Sequence, residues 1–95
     1  MTDRETILRT AEELINGDRH EDYGPALEQH SRIAALWSAY LSHDVSPVDV
    51  SIMMVLLKAS RIKAGGPAGD SFIDIAGYSA LGGEMHADLT KSDKF

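Results

Sequence analysis

The sequence predicts an all-α protein, a compact bundle of about four helices, on three observations. Apolar residues recur at helical spacing through each long segment. No segment sustains the apolar–polar alternation of a half-buried strand. The breaks between segments carry helix-stopping and helix-starting residues: Gly17, then Ser46–Pro47, then the run "AGGPAG" at 64–69.

In the first segment, residues 1–17, Thr2 and Glu5 stand at capping-box spacing ahead of Ile7, Leu8, Ala11, Leu14 and Ile15. Gly17 is the expected stop, and "GDRHEDYG" the polar loop that follows. Pro25 suits the first turn of a second helix, which carries Ala26, Ile33, Ala34, Trp37, Tyr40 and Leu41 on one side and runs to about Ser42. Ser46 is then an N-cap, Pro47 the first helical residue and Asp49 an acid in the favourable first turn. The third helix, about Val48 to Lys63, is apolar almost all round ("VSIMMVLLKA") and is expected to be central. The fourth starts at Asp70 or Ser71 and runs toward Ala87, with 88–95 expected to fray. Gly77, Gly82 and Gly83 each cost about 1 kcal/mol of helix propensity. Close helix approach, inside the subunit or across a dimer interface, is the expected compensation.

Ninety-five residues fit one domain with little core to spare, so a homo-oligomer is expected. The net charge of −6 disfavours a nucleic-acid duplex as partner, but leaves room for a small nucleotide held by a local pair of cations. The absence of cysteine removes disulfides, thiolate metal sites and cysteine nucleophiles, and fits a reducing cytoplasm. The charged N-terminus has no signal-peptide core, and no run is long and apolar enough to span a membrane.

Several polar residues fall where the pattern otherwise reads as core. Advancing about 100° per residue along the third helix puts Arg61 on the face of Val50, Met54 and Leu57, with Lys58 at its edge. Both also suit cations that complement a helix C-terminus. His30 falls among Ala26, Ile33, Ala34 and Trp37, the setting of a satisfied core or interface histidine, while Glu28 points elsewhere. In the fourth helix Asp74 shares a face with Tyr78, Leu81 and Met85, and Asp70 stands one turn earlier as a candidate N-cap. Asp74 in such surroundings needs a partner. Either Arg61 or Lys58 supplies a structural ion pair, or Asp70 and Asp74, aligned by i,i+4 spacing, hold Mg²⁺. Phosphate-binding glycine motifs, His-Glu-x-x-His and Gly-x-Ser-x-Gly are absent. No catalytic residue is assigned.

The stretches "DYGPALEQHSRIAALWSAYL", "SPVDVSIMMVLLKASRIKAG" and "DSFIDIAGYSAL" together resemble a group of small, uncharacterised phage and prophage proteins of all-helical type. They look like the helical domain called nucleotide-modification-associated. More remotely, the layout is similar to the all-α NTP pyrophosphohydrolases of the MazG type. That resemblance implies a phage-type nucleotide-binding protein in the bacterial host cytoplasm and, if it is an enzyme, a Mg²⁺-dependent pyrophosphohydrolase. It implies Mg²⁺ on Asp70, Asp74 and Glu28, with Lys58, Arg61, Tyr78, Tyr23 and His30 around the nucleotide. Two other readings stand beside it. One is a non-catalytic protein that sequesters a nucleotide signal; the other is a structural or interaction module whose buried charges fix helix register.

Overall fold

The computed structural model describes residues 3–17 and 25–90. These form four helices and, among the described residues, no strand: α1 (Arg4–Asn16), α2 (Ala26–Leu41), α3 (Pro47–Ala64) and α4 (Gly69–Thr90). The all-α expectation therefore holds. Among the described residues no helix is long and apolar enough to cross a membrane.

Local chemistry explains the helix ends. Thr2 lies outside the described residues. The side chain that caps α1 is that of Asp3, whose Oδ1 accepts the Thr6 N–H at 2.8 Å. Pro25 sits at the N-cap of α2, one residue before the first helical position expected for it. At the other end Ser42 takes a left-handed conformation, φ 53°, and its N–H reaches the Ser38 carbonyl. The Ser38 hydroxyl then accepts from the Val45 N–H at 2.8 Å, which holds the short turn into α3. α3 opens as expected. Ser46 Oγ accepts the Asp49 N–H at 3.0 Å, and Asp49 Oδ2 accepts the Ser46 N–H at 2.9 Å. Its exit uses Gly65 and Gly66 at φ 99° and 81°, a backbone region that side-chain-bearing residues rarely enter. The last helix is longer than expected. Residues 88–90 are helical rather than frayed, the Thr90 hydroxyl donating to the His86 carbonyl at 2.7 Å, and the rest of the expected tail, 91–95, lies outside the described residues.

α4 packs chiefly on α3 and also on α1, while α2 packs on α3. The glycines expected to allow close approach do so inside the subunit. A Cβ on Gly82 would stand 3.0 Å from the Ser51 Cβ of α3, and one on Gly77 would stand 3.1 Å from an Ile15 methyl of α1. Gly83 faces open space.

Among the described residues the fully buried apolar side chains are Ala11, Ala34, Val50 and Met85. Two of these four are alanines, so the core holds little apolar volume. By contrast Leu36 is 70% exposed, Tyr40 88%, Ile52 54% and Leu56 63%. α3 is central in position, as its composition predicts, yet one of its apolar faces is left open.

Candidate functional site

The polar residues singled out by the sequence separate into an interior group and a surface group. In the interior, Lys58 Nζ lies 3.0 Å from Asp74 Oδ2, with side chains only 14% and 13% exposed. This pair joins α3 to α4. Asp74 thus meets the partner its apolar surroundings demand, and the cation is Lys58.

Arg61 is exposed, which corrects the expectation that it sits on the buried face. The buried positions of α3 are Val50 and Ser51, with Met54, Val55, Lys58 and Ile62 half-buried. The inward face is therefore centred between Ser51 and Lys58, two turns apart on one side of the helix. It lies about 80° round from the Val50–Met54–Leu57 line. Within this face Ser51 meets Gly82 of α4 closely: a Cβ added there would stand 3.0 Å from the Ser51 Cβ.

His30 is 3% exposed. Its Nδ1 lies 2.8 Å from the Ala26 carbonyl oxygen. A carbonyl only accepts, so Nδ1 carries the proton and donates. Nε2 is buried and has no hydrogen-bond partner among the described residues. The core histidine expected from the sequence is satisfied at one nitrogen and not at the other. Its ring meets Tyr78 of α4 edge to face, centroids 6.4 Å apart at 64°. Tyr78 and Asp74 in turn line a hollow of about 10 Å³ between α1 and α4, closed by Leu14, Ile15 and Leu81. Two interior pairs thus stand near this hollow, Lys58–Asp74 joining α3 to α4 and His30–Tyr78 joining α2 to α4. The hollow itself has room for one water.

The remaining expected site residues do not join these pairs. Asp70 is exposed in the first turn of α4, and Glu28 is exposed on α2. Tyr23 lies outside the described residues. No group of three His, Cys, Asp or Glu side chains is gathered among the described residues as a cation site would be. The Asp74 carboxylate already faces an ammonium. The described side chains alone therefore gather no ligand set for the Mg²⁺ that the resemblance implies.

Sequence reasoning passed over Ser51, whose buried Oγ has no hydrogen-bond partner among the described residues. The i,i+7 spacing of Ser51 and Lys58 was the available signal: both fall on one stripe, and both are polar within an apolar helix.

Two curated relatives are similar to this chain. The Gene 55 protein of Mycobacterium phage L5 is 51% identical over 77 residues, covering 80% of this chain and 49% of the relative. The Gene 55 protein of Mycobacterium phage D29 is 44% identical over 75 residues, covering 79% of this chain and 50% of the relative. The chain thus spans about half the length of the curated relatives it matches. No solved structure matches it. The resemblance to phage proteins is supported, whereas neither relative's name nor the family description mentions a nucleotide or a pyrophosphohydrolase. The family's sequence profile covers residues 6–86, and the chain belongs to the family described as Domain of unknown function (DUF6378).

Proposed function

We propose that this protein acts by docking, as a helical interaction module whose α2–α3 face packs against another helical surface. One observation carries the reading: the hairpin of α2 and α3 exposes Leu36, Tyr40, Ile52, Met53 and Leu56 while the buried core contains only four apolar side chains among the described residues. Monomeric soluble proteins rarely leave a large apolar patch in water, and such a patch marks an interaction site. Within this reading the Lys58–Asp74 pair fixes the register of α4 on α3 and takes no part in chemistry. The similarity to two mycobacteriophage proteins supports a phage-encoded chain that works in the cytoplasm of its bacterial host.

The test is a hydrophobic fluorescent dye added to dilute protein. Dye binding that is lost in Leu56→Glu, with the helical circular-dichroism signal retained, is the expected result. Failure to bind dye by protein that sediments as a monomer removes the docking reading.

A second reading, non-catalytic capture of a nucleotide, has one observation in its favour. Lys58, Tyr78 and His30 supply a cation, an aromatic ring and a buried histidine nitrogen without a hydrogen-bond partner among the described residues. A nucleotide needs a pocket of roughly 300 Å³ or more, so α1 would have to lift from α4 to admit it. Titration of the protein with NTPs, dNTPs and cyclic dinucleotides, with and without Mg²⁺, tests this. Binding that Lys58→Met abolishes supports capture, release of a product points to turnover, and no binding by any of them ends both.

A further inference from the structure

We draw no further inference here: the strongest candidate, the exposed apolar side of α3 at Ile52, Met53 and Leu56, carries nothing beyond the docking already proposed, because nothing in the structure shows what covers it.

Discussion

Lys58 and Asp74 face each other across the α3–α4 interface at 3.0 Å, each with most of its side chain out of water. At such depth an ion pair returns little net stability, because desolvation offsets attraction; breaking it by removing one partner leaves a buried charge. Asp74→Ala is therefore expected to destabilise the fold by ~3–5 kcal/mol. Lys58→Ala should cost a similar amount, and the double variant less than the sum of the two. Arg61→Ala, at an exposed position, should change stability by no more than about 0.5 kcal/mol. Denaturant melts of the four variants check this. Equal losses for Arg61→Ala and Lys58→Ala would contradict the assignment of Lys58 as the buried cation.

The neighbouring glycines of α4 are expected to respond in opposite directions to one substitution. A Cβ on Gly82 would stand 3.0 Å from the Ser51 Cβ, a contact that backbone-anchored atoms relieve only by moving α3 and α4 apart. Gly83 has nothing within 4 Å of the same atom. Gly83→Ala should therefore stabilise by about 1 kcal/mol through helix propensity. Gly82→Ala should destabilise, its propensity gain outweighed by loss of packing. Thermal melts of the two variants read the sign directly, and stabilisation by both would mean that the helices do not meet at Gly82.

These two glycines also show where legibility in the sequence ends. The helix boundaries were readable because their determinants are local: Ser46, Pro47 and Asp49 cap α3 through contacts within one turn, and Gly65–Gly66 end it. That Asp74 needs a cation was readable too, from burial alone. Which cation was not. α3 is apolar on nearly every side, so periodicity establishes a helix without establishing which face turns inward. The choice belongs to the neighbouring helix, which meets Ser51 at Gly82 and Lys58, rather than Arg61, at Asp74. The glycine–serine contact depends on two residues 31 positions apart, which no local pattern encodes. The exposed apolar side of α3 was hidden for the same reason, since apolar residues at 52, 53 and 56 look like core until the core is seen to exclude them.

The Asp3 cap gives α1 a dependence on pH. The Thr6 N–H held by Asp3 keeps its carboxyl below the ordinary value of 3.8. A carboxylate with a depressed folded value contributes stability above its unfolded value, and that contribution is lost as pH falls through the folded value. The first turn of α1 should therefore fray below about pH 4. The Thr6 amide resonance followed by acid titration reports the cap itself. Asp3→Asn, which caps without titrating, should abolish the transition, and its persistence in that variant would place the titrating group elsewhere.

Ser51 carries the last expectation. Its Oγ is buried beside Gly82 with no hydrogen-bond partner among the described residues, and a buried hydroxyl without a partner costs about 1–3 kcal/mol. Ser51→Ala removes that hydroxyl and keeps the Cβ that fits against Gly82. It also replaces serine with the best helix former in the interior of α3. Both changes act in the same direction, so a gain of about 1 kcal/mol is expected, or about 4–8 °C in Tm for a domain of this size. Ser51→Val, with two added methyl groups where the backbone of α4 already closes in, should lower Tm instead. If Ser51→Ala also lowers Tm, the hydroxyl is engaged by a buried water or ligand at the α3–α4 contact. The interior polar group would then be a binding site rather than a device for setting helix register.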